Sequence, residues 1–149
     1  MPTAARVVAA LIVGFIAFVV AGQARAQLPE GMDPGRMVQV SLIIGLICGW
    51  TILGRRADGG RMGFANAIGI GISAVGMTVF WVILLLAANE ALRLSLDRRF
   101  DGPMEAIYAM FPIMGEYALY ILNQESLTWL IGGSVVAGLA AHMAGKMWR

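Results

Sequence analysis

From Met62 to Ala88 the chain carries no charged side chain, and its only polar ones are Asn66, Ser73 and Thr78. A helix of about 20 apolar residues crosses the hydrocarbon of a bilayer, so this run by itself points to a membrane-spanning segment, placed at 62–89. Composition extends the point to the whole chain. Of 149 residues 59% are hydrophobic and 13% charged, against about 25% charged in an ordinary soluble domain. With nine acidic and eleven basic side chains there is no charged block to serve as a nucleic-acid arm, and no nucleic-acid partner is expected. The single cysteine, Cys48, rules out a disulfide framework or thiol metal cluster within one chain.

Three further apolar segments read as spans. The first, at 4–22, begins near Arg6 and is followed by Ala24-Arg25-Ala26. A basic start, a short apolar core and an A-x-A site also describe a cleavable secretory signal over 1–26. The second, at 37–54, is short but flanked by Arg36, Arg55 and Arg56, which can snorkel to the interface. The last, at 127–146, closes on Lys146. Gln27 to Arg36, with two prolines and two glycines, reads as a loop, and Arg55 to Arg61 as a tight turn. The third helix is expected to run past Asn89 until Asp101-Gly102-Pro103 stops it.

Between Pro103 and Asn123 the apolar residues Ile107, Met110, Phe111, Met114, Ala118, Ile121 and Leu122 recur at helical spacing, interrupted by Glu105 and Glu116. Two carboxylates are costly in hydrocarbon. The segment is therefore expected to be an amphipathic interfacial helix, kinked at Pro112, with insertion as the alternative. The fold expected is all-α, an integral membrane helical bundle of four transmembrane helices and this interfacial one, in a single domain over 1–149.

Charges at segment ends set the orientation. One side holds Arg6, Arg55, Arg56, Arg61, Lys146 and Arg149; the other holds Arg25, Arg36, Arg93, Arg98 and Arg99, with eight of the nine acids (all but Asp58). Basic residues favour the cytoplasmic side, which puts both termini there. Cleavage of the first helix would leave the amino terminus periplasmic without turning the later spans.

Catalysis requires polar groups that converge, and candidates are few. His142, near the end of the last span, reads as a packing or interfacial residue, and Cys48, in an apolar run, as a small inert thiol. Glu90 is the nearest thing to an intramembrane acid, a position that marks function in many membrane proteins; Arg93 beside it points instead to an interfacial pair. Met104, Met110, Met114, Met143 and Met147 could hold a soft metal ion but also make ordinary apolar faces. No enzyme activity, cofactor or metal is expected. The stronger pattern is in packing: Gly45 and Gly49 in the second span, Ala65, Gly69 and Ser73 in the third, and Gly133, Ala137, Ala141 and Gly145 in the last lie four apart. Small residues so spaced let helix backbones approach where lipid supplies no hydrophobic drive. These faces should meet, within one bundle or between subunits of a homo-oligomer or larger membrane complex.

Several strings resemble the TrgA family, small bacterial membrane proteins associated with tellurite resistance. They are the opening Met-Pro-Thr-Ala-Ala-Arg, Leu28-Pro29-Glu30-Gly31, Ile44-Gly-Leu-Ile-Cys-Gly-Trp50 and Arg99-Phe-Asp-Gly-Pro-Met-Glu105. The resemblance covers nearly the whole chain and includes the first helix, so it implies a retained span rather than a cleaved signal. It implies a non-enzymatic inner-membrane protein contributing to tolerance of tellurite or a related envelope stress. An accessory subunit or assembly factor of a larger complex is the alternative, and a small transporter or channel component a third.

Overall fold

The computed structural model describes residues 4–30, 35–57, 63–97, 99 and 101–147, and all regular structure among them is helical. The described residues form five helices: α1 (Ala4–Gln27), α2 (Met37–Ala57), α3 (Phe64–Leu96), α4 (Pro103–Ile121) and α5 (Gln124–Met147). Four of them, α1, α2, α3 and α5, are long and apolar enough to cross a membrane. The protein is a helical membrane bundle.

Its side chains are sorted by size. Alanines of α1, α3 and α5 (Ala9, Ala67, Ala74, Ala137, Ala141) are wholly buried, while Leu11, Phe15, Ile43, Ile72, Phe80, Trp81 and Ile131 stand exposed. Water would penalise such a surface, since soluble monomers rarely expose apolar patches of more than a few hundred Å². Lipid does not, and small residues inside allow the close backbone packing that holds membrane helices together.

The boundaries differ from expectation where tertiary contacts extend a helix. α1 continues without a break through Ala24-Arg25-Ala26 to Gln27. It is held there by Asn123 Nδ2, which donates to Gln27 Oε1 at 2.6 Å, and by Ser126 Oγ, which donates to Gln23 Oε1 at 3.5 Å. Before α2, Gly35 has φ +44°, a left-handed conformation that favours glycine. α2 reaches Ala57, three residues beyond the expected span, and winds as a π-helix from Gly49 to Gly54. α3 stops at Leu96, capped by Asp97, short of the expected Asp101-Gly102-Pro103 stop. α4 starts as expected on Gly102 and Pro103, and Glu105 Oε2 reaches back to accept from the Asp101 N–H at 2.9 Å; it remains helical through Pro112. Asn123 Oδ1 accepts from the Gln124 N–H at 2.7 Å and opens α5 three residues before the expected start. Of the charged residues used for orientation, Asp33, Asp58, Arg61, Arg98 and Arg149 lie outside the described residues, as do Met62, most of the expected Arg55–Arg61 turn and the Met1-Pro2-Thr3, Gly31 and Phe100 parts of the resemblance strings.

Close contacts fix the helix register. Gly54 of α2 lies on Arg6 of α1, and Gly145 of α5 on Ala57 and Ala5. The start of α1, the end of α2 and the end of α5 therefore share one end of the bundle. At mid-depth Gly133 lies on Ile16 and Gly71 on Ser134. Counting back along α5 from Ser134 to Gln124, and the same number forward along α3 from Gly71, brings the start of α5 level with Trp81. Val82 still lines the cavity shared with α1 and α2, and Leu85 a groove beside α2, so α3 overhangs its neighbours only past Leu85, about 16 Å to Leu96 at about 1.5 Å per residue. α4, about 28 Å long on the same rise, returns along the overhang to α5. Its inner side, with Tyr117 and Ile121 buried and Ile113 and Met114 half-buried, packs on α3. The amphipathic segment thus runs back beside α3 as half of a helical hairpin.

Candidate functional site

The polar candidates fall in three separate places. Glu90 is on the overhang, 7% exposed, with its Oε2 3.7 Å from Arg93 Nη1 one turn on. The pairing matches the Arg93 reading, but the carboxylate is buried in the hairpin rather than displayed on its surface. Cys48 is buried and free, the last residue before the π-turn, beside a groove between α2 and α3 that Met77 and Trp81 also line. His142 is half-buried near the opposite end of the molecule, and its Nδ1 is buried without a hydrogen-bond partner. Gly138, one turn before it, lies against Ala67, so His142 and Glu90 are roughly 35–40 Å apart along the bundle axis. Of the methionines, Met104, Met143 and Met147 are exposed, and Met110 and Met114 are half-buried on the side of α4 that faces α3.

Packing residues converge where the chemical candidates do not. A Cβ at Gly45 would lie 2.8 Å from Ala17 Cβ and 2.9 Å from the Val13 carbonyl oxygen; one at Gly49 would lie 2.6 Å from the Ala9 carbonyl oxygen. Real Cβ atoms do not approach backbone that closely, so α1 and α2 touch backbone to backbone along Gly45, Gly49 and Gly54. The third glycine comes five residues after the second, and the i→i+5 π-turn between them returns it to the face that an α-helical turn would rotate it from. On α5, a Cβ at Gly133 would lie 2.8 Å from Ile16 Cδ1, Ala137 and Ala141 are wholly buried, and Gly145 lies on the Ala57 carbonyl. That stripe faces α1 and the end of α2.

The third face differs. Ala65, Gly69 and Ser73 are exposed, Gly69 has open space around it, and Ser73 Oγ donates back to the Gly69 carbonyl at 2.9 Å. The face of α3 that meets α5 is instead Ala67, Gly71 and Ala74. Gly71 lies against the Ser134 carbonyl and Gly138 against the Ala67 carbonyl. Two residues along a helix is a rotation of about 200°, so α3 carries small residues on opposite faces. Spacing alone cannot choose between them. Ala67-Gly71-Ala74 runs on into Thr78 and Val82, which fit an interior, whereas the other face leads to Gly76 and the exposed Phe80.

All five helices contribute to one small, partly open cavity of about 20 Å³ with an apolar surface, whose lining includes Ala17 and Val20 of α1, Met37 and Ser41 of α2, Thr78 of α3, Ile121 of α4 and Leu130 of α5. Ser41 is 1% exposed and its Oγ has no hydrogen-bond partner. Among the other hydroxyls in these spans, Thr51, Ser73, Thr78, Thr128 and Ser134 each donate to a carbonyl three or four residues back in their own helix, the usual arrangement for such residues inside a helix, and Ser126 donates across to Gln23. Neither Ser41 nor Met37 stood out in the sequence, because a single serine in an apolar run carries no periodic signal. No family model, curated protein or solved structure matches the chain.

Proposed function

We propose that this is a non-enzymatic, multi-pass protein of the bacterial inner membrane that contributes to tolerance of tellurite or a related envelope stress. The resemblance of Ile44–Trp50 and Arg99–Glu105 to the TrgA family carries the stress reading. The packing of α1 supports a mature protein that keeps its first helix: α1 contacts α2, α3, α4 and α5, and Gln23 and Gln27, which flank the signal-like Ala24-Arg25-Ala26, both bond to the start of α5. Arg6, Arg55, Arg56 and Lys146 at the shared end of α1, α2 and α5 support a cytoplasmic placement of both termini. A deletion strain should lose tellurite tolerance and regain it from a plasmid copy; unchanged tolerance, with expression verified in the parent, would sink this reading.

A second reading, an accessory subunit of a larger membrane complex, rests on the overhang. Arg25, Gln27, Asn123 and Glu125 mark the end of the four-span bundle with polar groups, which supports a membrane surface at that level with the α3–α4 hairpin beyond it. The hairpin exposes Leu92, Leu96, Ile107, Tyr108, Phe111 and Leu119. Such a surface in water favours a protein neighbour. Native electrophoresis of membranes dissolved in a mild detergent should show the chain in an assembly larger than itself, reduced in size by Phe111→Asp. Migration as a lone chain would count against this reading.

A further inference from the structure

We propose that the groove between α1 and α2 seats one anionic phospholipid, with an acyl chain along the groove and the phosphate on the arginines at its mouth. The groove holds about 410 Å³ and is walled by Val7 and Leu11 of α1 and by Leu46, Ile47 and Trp50 of α2. Val7, Leu11 and Ile47 stand exposed, so it opens to lipid. Its one hydroxyl, Thr51, donates back to the Ile47 carbonyl, which leaves a surface suited to hydrocarbon.

Charge at one end decides which lipid. Along α2 the glycines that touch α1 are Gly45, Gly49 and Gly54, and the groove takes the two residues after each of the first two: Leu46 and Ile47, then Trp50 and Thr51. The π-turn that keeps Gly54 on α1 gives Arg55 and Arg56 the same two positions one turn on, and both are exposed. On the facing wall Arg6 comes one turn before Ala10, which lines the groove, and the Arg6 backbone lies against Gly54. Three arginines therefore stand at one end of an apolar groove, where α1 begins and α2 ends. A guanidinium binds phosphate through paired hydrogen bonds, and basic pockets between spans at the membrane surface hold anionic headgroups. Among the described residues no acid stands at this end of the bundle. The grooves between α1 and α5 and between α2 and α3 lack described arginines one turn beyond both walls, so a chain seated there has no such headgroup partner. The lipid comes from whichever leaflet this end faces, and the assignment is independent of the orientation proposed above.

Native mass spectrometry of the full chain in mild detergent, with phosphatidylglycerol or phosphatidylcholine of the same acyl chains added, tests it. The chain should retain one phosphatidylglycerol in preference to phosphatidylcholine. Arg55→Gln with Arg56→Gln should weaken that retention by about tenfold, the scale of two cations lost beside a phosphate. Lys146→Gln, which removes a charge from α5 at the same end, and Arg25→Gln at the other end should leave it unchanged. Equal retention of the two lipids, or a loss in Lys146→Gln as large as in the double variant, would reduce the effect to general charge and overturn the proposal. Glycerol phosphate, a headgroup without a chain, should not displace the lipid; displacement would make this a site for free phosphate and overturn it too. A second measurement needs no variant. In nanodiscs, phosphatidylglycerol carrying a diazirine in its acyl chain should label the Val7–Leu11 or Leu46–Thr51 stretch, and excess unlabelled phosphatidylglycerol, but not phosphatidylcholine, should suppress the label. Labelling spread evenly over the exposed faces of the four spans would overturn the proposal.

Discussion

A single methyl group distinguishes the glycines of this bundle. Gly71 and Gly138 face each other across α3 and α5 with a carbonyl oxygen where a Cβ would go, while Gly69 and Gly76 on the opposite side of α3 have open space. Gly138→Ala should lower stability by about 1–3 kcal/mol, the scale of overpacking in a filled contact, and Gly69→Ala should leave it unchanged; thermal unfolding in detergent, followed by gel filtration, reads both. Cys48 belongs to the same scale. At 6% exposure its thiol should resist a maleimide in the folded protein and react fully in dodecyl sulfate, which mass spectrometry counts directly. The sequence supplied residue types and spacings, and so Gly45, Gly49, Gly133, Ala137, Ala141 and Gly145 could be named before any coordinates. It could not supply phase. On α3 two small-residue faces compete, and the choice depends on what α5 presents to it, the Ser134 and Gly138 backbone.

Among elements, α1 and α2 carry the widest gap between local pattern and outcome. The first twenty-six residues also read as a signal, the alternative to a retained span, because a signal and a first span share a basic start and an apolar core. What separates them is long-range: Gln23 and Gln27 bond to residues about a hundred positions away, and Ala5, Ala9, Val13 and Ala24 are buried in the common core. The mature protein should therefore retain this helix, and intact-mass measurement of membrane-purified chain should return the full length; a mass beginning at Gln27 would contradict it. In α2 the π-turn from Gly49 to Gly54 was invisible to a search for four-residue spacings, since its purpose is served by five. Deleting one residue between Trp50 and Leu53 would let the segment close as an ordinary α-helix and turn Gly54 off Arg6. The variant should unfold at lower temperature than the parent, more so than Thr51→Ala, which touches only an exposed back-bond to the Ile47 carbonyl.

For the molecule as a whole, apolar runs made a four-span bundle legible, but not the packing of α4 against α3. Residues past Asn89 mix charged and apolar side chains because they bury one side against another helix and leave the other free. The same mixture in α4 suggested an amphipathic helix at the membrane interface, with insertion as the alternative. Helix lengths and the α3–α4 contacts show α3 outlasting α5, 33 residues against 24, and α4 folding back along its far end. Glu90, on this hairpin, is then buried between helices rather than poised in lipid. The proposed accessory-subunit reading places the outer membrane surface near the Gln27–Asn123 contact, with the far end of the α3–α4 hairpin beyond it. Cysteine accessibility in reconstituted vesicles, on a Cys48→Ala background, tests it most directly. Leu96→Cys and Phe111→Cys should react with a membrane-impermeant maleimide, while Ile72→Cys and Ile131→Cys stay protected. Protection of Leu96→Cys and Phe111→Cys to the same extent as the latter pair would place the hairpin in lipid and contradict the account.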